Sequence, residues 1–259
     1  MAFVQNKKMD KTISSLLSRQ NYLVTQANDL ARSFGNLTTF EHKVLDYCFS
    51  YVKSEDTSSQ IYTVQMLSII RHLGLNSSGK NYQRVAEAFR ALNNKTAIYL
   101  RTTYKNGMKG IIMTSLFDYI AIVEDGRIEF QFSKKVAPFV FELKKNYYSF
   151  KLSELSGVRS KYALTLLKLW NANSMGKLKK TTIKGSLEEW QSWFLGTDDE
   201  GKPKKWAAGR FRQRVLNVSM KELGNLYPKT AFFLTTEKEG RKIVGYTLDI
   251  TPIKTTLNI

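Results

Sequence analysis

The chain has 259 residues, of which 42% are hydrophobic, so it can bury the cores of one or two domains. Its 40 lysines and arginines outnumber its 22 acidic residues, and the formal net charge of +18 favours a polyanionic partner, with nucleic acid ahead of a membrane surface. No stretch approaches the roughly 18 consecutive apolar residues of a membrane-spanning helix, and the N-terminal MAFVQNKKMDK lacks the apolar stretch of a secretory signal. The single cysteine, Cys48, excludes an internal disulfide framework and indicates a reducing cytoplasm.

The sequence of the first part of the chain predicts a loose arm followed by three short helices. Residues 1–20 are polar and carry several lysines, which predicts a flexible basic arm. Thr38 and Glu41 have the spacing at which each side chain can satisfy the other's free backbone amide, so a helix is expected to start there and to bury Cys48. Hydrophobic periodicity then predicts a short strand and two further helices, at residues 61–64, 64–73 and 80–93. The inner face of the last helix is expected to consist of Val85, Ala88, Phe89 and Leu92.

Two β-hairpins are expected after these helices. The dipeptides Asn106-Gly107 and Asp125-Gly126 favour tight hairpin turns. The flanking strands are predicted at residues 98–103, 110–114, 119–123 and 128–132.

The second part of the chain repeats this plan. The spacing of Leu73-Gly74 to Gly79-Lys80 recurs from Leu195-Gly196 to Gly201-Lys202, and each copy leads into a basic amphipathic helix. A hairpin follows each helix, opening on Lys95-Thr-Ala and on Lys229-Thr-Ala. Further helices are predicted at 160–172 and 187–194, and the last returning strand, 243–250, is expected to point Val244, Tyr246, Leu248 and Ile250 inward.

Helices followed by a hairpin describe a winged helix-turn-helix, in which the hairpin is the wing. The predicted fold class is therefore α+β, with two tandem winged helix-turn-helix domains related by a pseudo-twofold internal repeat. We place the first domain at residues 21–135, a helical linker at 136–147 and the second domain at 148–259.

The candidate site centres on residues 201–223, GKPKKWAAGRFRQRVLNVSMKEL, where Glu222 is the single acid among many bases. Helical spacing predicts an apolar face of Ala208, Phe211, Val215 and Val218. A separate stripe is expected to consist of Arg210, Arg214, Asn217 and Lys221. Arginine pairs with guanine and asparagine with adenine in the major groove, so the predicted base contacts come from Arg210, Arg214 and Asn217. A solvated basic face is the alternative interpretation.

The other basic residues of the candidate site are predicted to contact phosphates. Those of the second domain are Lys161, Lys202, Lys204, Lys205, Arg212, Lys221, Arg241 and Lys242. Lys161 lies near a predicted helix N-terminus, where amide dipoles favour an anion such as phosphate. The analogous residues of the first domain are Lys80, Arg84, Lys105 and Lys109, although Glu87 reduces the positive charge of that helix.

Other kinds of site lack the residues they need. The repeated GxxxxGK pattern continues with Asn81 or Pro203 where a phosphate-binding loop needs Ser or Thr, and it follows a predicted helix instead of a strand. His42 and His72 do not form a paired histidine metal site, and Tyr147-Tyr148 has no accompanying ligand set. We therefore expect no catalytic activity, no metal and no cofactor.

Several short motifs in chain order carry a resemblance to a known family. They are Asn28-Asp29-Leu30, Leu37-Thr-Thr-Phe-Glu41, Tyr148-Ser-Phe-Lys-Leu152, Ser160-Lys-Tyr162-Ala-Leu164-x-Leu166, Arg212-x-x-Val215-Leu216, Lys221-Glu222-Leu223 and Gly240-Arg241-Lys242. Together they resemble the theta-type plasmid replication initiators of the Rep_3 family, over residues 20–250. The family's Leu-Tyr-x-Leu-Leu run is replaced here by Leu166-Leu-Lys-Leu-Trp170.

The resemblance implies a cytoplasmic, plasmid-encoded bacterial protein that binds double-stranded iterons at an origin. It also implies that the protein helps to melt the origin and recruits the host initiator and the replicative helicase. The first domain would then contribute DNA contacts and a dimer interface, with a homodimer repressing the protein's own gene. A winged-helix transcriptional repressor without initiator activity and a DNA-processing enzyme are the two alternatives.

Overall fold

The computed structural model describes residues 23–103, 105, 107–143, 147–155, 157–174, 180–196 and 204–253. The predicted basic arm, residues 1–20, lies outside the described residues, as do Asn106 and Lys202. Within the described part, no helix has both the length and the apolar character needed to cross a membrane.

The described residues form the following strands and α-helices, each numbered in chain order. The strands are β1 (Leu23–Ala27), β2 (Ile61–Gln65), β3 (Ala97–Thr103), β4 (Lys109–Ser115), β5 (Phe117–Ile122), β6 (Arg127–Phe132), β7 (Tyr147–Lys151), β8 (Thr181–Ser186), β9 (Thr230–Glu239) and β10 (Lys242–Pro252). The helices are α1 (Thr39–Phe49), α2 (Met66–His72), α3 (Gly79–Lys95), α4 (Ala137–Val140), α5 (Lys161–Asn173), α6 (Leu187–Leu195), α7 (Ala208–Phe211) and α8 (Asn217–Leu226).

The chain packs into two compact units. The first is centred on Phe40–Glu142, and the second combines Thr25–Thr39 and Leu143–Phe150 with Gly157–Ile259. Thr25–Thr39 thus packs with the second unit, although chain order alone places it within the first predicted domain.

The first unit buries α3 and one face of a three-stranded sheet ordered β2-β6-β5. Along β6, Ile128, Phe130 and Phe132 are fully buried and alternate with half-exposed residues, which is the period of a strand with one face in a core. The ring of Phe132 stacks on that of Phe117 with centroids 5.1 Å apart. The predicted inner face of α3 is confirmed, since its buried residues are Val85, Ala88, Phe89 and Leu92.

Two further predictions for this unit are confirmed. The hairpins exist, because β3 pairs with β4 and β5 with β6, and Gly107 and Gly126 have the positive φ values of 80° and 82° that glycine adopts readily. Cys48 is buried on α1. Burial, with the nearby Asp46 carboxylate, raises the pKa of the Cys48 thiol far above its ordinary value, so it remains a neutral core group.

The predicted helical linker, residues 136–147, is helical in its first part, whereas its last residue, Tyr147, opens a strand. A 3₁₀ turn at Lys134–Val136 and the four-residue α4 are followed by strand β7. In β7 the side chains of Tyr148 and Phe150 are buried while that of Tyr147 is half-exposed, which is strand periodicity. Its partner is β1, and the hydroxyls of Thr25 and Ser149 lie 2.8 Å apart. The pairing of β7 with a partner so far back in the chain has no local sequence signal.

The second unit places α5, α6, α7 and α8 before the β9–β10 hairpin, with β8 joining the sheet in the order β8-β10-β9. Trp190 of α6 is fully buried, its ring stacks on Phe194 at 5.9 Å, and its Nε1 donates to the Tyr246 carbonyl oxygen at 2.9 Å. Ser186 and Glu189 close a reciprocal capping box at the start of α6. Helices followed by this hairpin form a winged helix.

One inward-facing residue of the last strand was predicted wrongly. Tyr246, Leu248 and Ile250 of β10 are buried as predicted, but Val244 is only half-buried. The pairing of β10 with β9 shifts register between Ile243 and Gly245, and such a bulge breaks the alternation of faces.

Candidate nucleic-acid interface

Helix α7, a π-helical turn at Arg212–Leu216 and helix α8 follow one another directly. We call this continuous segment the basic helix. Its buried residues include Phe211, Val215, Ser219 and Leu223, spaced four apart. The wider π turn shifts the phase of the helix, so the buried side does not reach Val218, which is 41% exposed. The prediction that Val218 belongs to the core face was therefore wrong.

The predicted stripe is on the surface. Arg210, Arg214, Asn217 and Lys221 are all exposed, and so is Arg212. Their side chains can therefore reach a partner without any rearrangement of the core beneath them.

Glu222, the acid of this helix, is turned towards α5. Its carboxylate accepts hydrogen bonds from the backbone N–H groups of Arg159 and Ser160, just before the first residue of α5. The helix dipole favours a negative charge at this end. The carboxylate thus joins the basic helix to α5 and is kept away from the exposed arginines.

We expect Glu222→Ala to lower the free energy of unfolding by about 1–2 kcal/mol, because two amides at the start of α5 lose their acceptor. Urea denaturation followed by tryptophan fluorescence measures the change. Glu222→Gln is the matched control, since its amide oxygen can still accept, and it should lose less. Equal losses for the two variants would show that the negative charge of Glu222, and not a neutral acceptor, is what stabilises the start of α5.

The turn before the basic helix is held by a buried glutamine. Gln191 of α6 is 2% exposed, its Nε2 donates to the Trp206 carbonyl oxygen at 2.7 Å, and its Oε1 accepts from the Trp206 N–H at 3.0 Å. The guanidinium of Arg210 lies over the Trp206 ring, 4.5 Å from the ring centroid. The same arginine lies near Tyr162: burial raises the pKa of the Tyr162 phenol, and the Arg210 charge partly offsets that rise.

The sheet anchors the start of the helix from the other side. The Tyr246 hydroxyl donates to the Ala208 carbonyl oxygen at 2.9 Å, and Arg212 Nη1 lies 3.5 Å from the Thr236 hydroxyl of β9. Burial raises the pKa of the Tyr246 phenol, with a smaller opposite effect from Arg212. The phenol therefore stays protonated and donates at neutral pH.

Two predicted phosphate contacts lie in this turn. The Lys204 N–H donates to the Gly196 carbonyl oxygen at 3.0 Å, while Lys205 Nζ pairs with Glu188 Oε1 at 3.2 Å. Both lysine side chains are exposed, and such surface ion pairs are weak, so Lys205 can exchange Glu188 for a phosphate.

The β9–β10 hairpin, which we call the second wing, presents two more bases at its tip. Arg241 and Lys242 are exposed beside Gly240, whose φ is 58°. Away from the tip, Glu237 accepts from Thr247 at 2.6 Å and pairs with Lys184 at 3.1 Å. These hydrogen bonds lower the pKa of the Glu237 carboxyl, so the carboxylate stays charged and bonded to Thr247 and Lys184 of the sheet.

Lys161 has an internal contact. Its Nζ donates to the Gly35 carbonyl oxygen at 3.1 Å and lies 5.2 Å from the centroid of the Tyr162 ring. The N–H groups of residues 159 and 160 are already used by Glu222, and the N–H of Tyr162 donates to the Ser160 hydroxyl. The predicted phosphate contact of Lys161 thus relies on its ammonium group rather than on those amides.

The first unit presents its predicted bases separately. Lys80, Lys105 and Lys109 are exposed, and the Arg84 guanidinium lies 4.0 Å from the centroid of the Phe40 ring. Glu87, which reduces the charge of α3, pairs with Arg90 at 2.6 Å.

The residues weighed for catalysis lie in structural positions. The Tyr148 hydroxyl is buried and donates to Gln26 Oε1 at 2.6 Å, and Cys48 is buried. Among the described residues, no group of three or more His, Cys, Asp or Glu side chains could hold a metal ion.

Sequence reasoning missed Trp206 and Gln191. Trp206 precedes the first helical residue, so helical spacing does not pair it with Arg210, and Gln191 lies on the preceding helix. A tryptophan embedded in a basic segment is the signal that could have drawn attention to it.

Helices before a β-hairpin in each unit, with an exposed basic helix and a basic wing tip in the second, define a DNA-binding protein with tandem winged helices. Two family models match: Initiator Replication protein, WH1, over residues 23–171, and Initiator Rep protein, WH2, over residues 186–250. They cover most of the chain, which therefore belongs to the Rep3 family of replication initiators. The predicted family and the tandem winged-helix fold are confirmed.

Individual relatives agree with this assignment. A replication initiation protein of Escherichia coli is 26% identical in an alignment of 230 residues that covers 85% of this chain and 66% of the relative. This chain thus spans a little under two thirds of that relative's length. A crystal structure of Pi initiator protein in complex with iteron DNA matches with a TM-score of 0.69 at 17% identity, covering 91% of this chain and 99% of that one. This likeness shows a shared fold.

Proposed function

We propose that this chain initiates DNA replication by binding double-stranded iterons at an origin. The observation that carries the proposal is the exposure of Arg210, Arg214, Asn217 and Lys221 on a helix whose Phe211, Val215, Ser219 and Leu223 are buried. The Pi initiator, which shares the fold, has been crystallised with iteron DNA, and that complex supports the same ligand class here.

Within this proposal the side chains divide into two groups. Arg210, Arg214 and Asn217 contact base edges in the major groove, where arginine and asparagine can form paired hydrogen bonds. The phosphate contacts come from Lys161, Lys202, Lys204, Lys205, Arg212, Lys221, Arg241 and Lys242. Lys80, Arg84, Lys105 and Lys109 of the first unit add contacts to the same duplex.

The downstream steps of the proposal rest on membership of the initiator family and on the motifs that carry the resemblance. The bound protein promotes melting of the origin and recruits the host initiator and the replicative helicase. As a homodimer it represses its own gene, with the first winged helix supplying the interface. It acts without catalysis of its own, in the cytoplasm of a plasmid-bearing bacterium.

Fluorescence anisotropy with the full chain tests the binding step. Repeats flanking the gene are compared with scrambled duplexes of the same length near physiological salt. Charge alone should give dissociation constants of about 10⁻⁴ to 10⁻⁶ M, whereas a sequence-specific initiator should prefer the repeats by at least about a thousandfold. Equal affinity for both duplexes would overturn the proposal.

The second wing should contribute charge without sequence preference. We expect Arg241→Ala and Lys242→Ala each to weaken binding to repeats and scrambled DNA alike, and to reduce the salt dependence of log K by about one unit per lost phosphate contact. Affinities measured over a series of salt concentrations give the slopes. Lys53→Ala, which removes an exposed charge from the first unit, is the control and should leave the slope unchanged. A change in base preference would contradict the phosphate assignment.

A further inference from the structure

The side chains of Trp206 and Arg210 lie against each other, and the proposed DNA contacts do not explain why. The guanidinium lies 4.5 Å above the indole, and the backbone of Trp206 is fixed on both its N–H and its carbonyl by the buried Gln191 amide. The indole is therefore carried on a fixed backbone, and an otherwise exposed arginine rests over it.

We propose that Trp206 is a specificity-determining residue, which aims the Arg210 guanidinium at one base pair of the bound repeat. This inference rests on the proposed function, because it assigns a role within the same DNA-binding site. It makes Gln191 a positioning residue, since a side chain 2% exposed acts on DNA only through Trp206.

The chemistry of the guanidinium explains how stacking can serve recognition. The five N–H donors of a guanidinium lie in its plane, and an indole on which it stacks contacts its face. Stacking therefore leaves the paired donors free for the O6 and N7 acceptors of guanine. An arginine already held in one direction loses less conformational entropy on binding than one that samples many rotamers.

The surrounding contacts hold the backbone on both sides of Trp206. Lys204 on one side of Trp206 is held through its backbone by Gly196, and Ala208 on the other side by the Tyr246 hydroxyl. The neighbouring Lys205 differs, because its ion pair with Glu188 is exposed on both partners. The turn thus combines a hydrogen-bonded backbone at Trp206 with an exposed ion pair at Lys205.

A double-mutant cycle on the full chain tests the proposal. The four proteins are the wild type, Trp206→Ala, Arg210→Ala and the double variant, each measured by anisotropy against the repeat and against its single-base-pair variants. We expect Trp206→Ala to weaken binding to the repeat about two- to fivefold. It should flatten the preference at the same base pair as Arg210→Ala, and it should add no further loss once Arg210 is absent.

Two further variants separate positioning from folding. Trp206→Phe keeps an aromatic face and should keep most of the preference at that base pair. Gln191→Ala keeps the indole but removes the hydrogen bonds that fix the Trp206 backbone. It should reduce the preference at the same base pair while leaving the affinity for scrambled DNA unchanged. If Trp206→Ala weakens all duplexes equally, or if its loss adds to that of Arg210→Ala, Trp206 does not act through Arg210 and the inference is wrong.

The proposed function and this inference fail in different ways. A wild type that binds repeats and scrambled DNA equally overturns both. A different outcome overturns the inference alone. In it the wild type prefers the repeats and Arg210→Ala reduces the preference at one base pair, but Trp206→Ala leaves that preference unchanged.

Discussion

Replacing Trp190 by alanine is expected to destabilise the second unit by about 3–5 kcal/mol, the usual cost of removing a large aromatic side chain from a core. Trp190 is fully buried: its ring lies 5.2 Å from that of Trp193 and stacks on Phe194. The substitution also leaves the Tyr246 carbonyl oxygen without the indole donor. Because Tyr246 in turn holds Ala208 at the start of the basic helix, DNA binding should fall with stability.

Chemical denaturation of the full chain measures this effect, with repeat binding recorded on the same samples. Trp190→Phe is the matched control, because it keeps an aromatic ring in the core while losing the hydrogen bond. It should retain most of the stability. A Trp190→Ala protein as stable as the wild type would contradict the assignment of Trp190 to the centre of this core.

Replacing Arg214 by alanine is expected to cost about 1–3 kcal/mol in binding to the repeat and to relax the preference at one base pair. The side chain is exposed, and the nearby Val215 is fully buried, so the substitution removes a contact without opening the core. Anisotropy against single-base-pair variants of the repeat gives the preference, and thermal unfolding should be unchanged.

Arg214→Lys separates charge from geometry, since lysine keeps the positive charge but lacks the fork that pairs with guanine. It should retain binding to scrambled DNA while losing the preference at that base pair. Lys53→Ala is the charge-matched control outside the predicted interface. If Arg214→Ala weakened repeats and scrambled DNA equally, Arg214 would be a phosphate contact and its assignment to a base edge would be wrong.

Elements with a local period were predictable from the sequence. The inner face of α3 follows from apolar residues at helical spacing, and Gly107 and Gly126 mark the two hairpin turns. Strand β7 was missed because its partner β1 lies more than a hundred residues earlier, and neither shows its pairing locally. For the same reason β8, which joins the sheet through β10, carried no signal.

The candidate site was predictable in composition and less so in geometry. The exposure of Arg210 and Arg214 follows from the charge pattern, whereas the misplacement of Val218 results from a π turn that no hydrophobic period reveals. Nor does the sequence show that Glu222 bonds to the start of α5, since a carboxylate's partner depends on tertiary packing. The side-chain roles in DNA binding remain predictions until the variants are measured.

The membership of Thr25–Thr39 in the second unit bears on how the protein folds during synthesis. Gly35 lies so close to later residues that an added Cβ would be 2.7 Å from the Gly196 backbone nitrogen and 2.9 Å from the Trp193 carbonyl oxygen. The ribosome makes Gly35 long before either neighbour, although domains made first generally fold first. The contacts of Gly35 with Trp193 and Gly196 can therefore form only after all of Phe40–Glu142 has been made. The two units are thus interleaved along the chain, and a fragment starting after the first unit would lack part of the second.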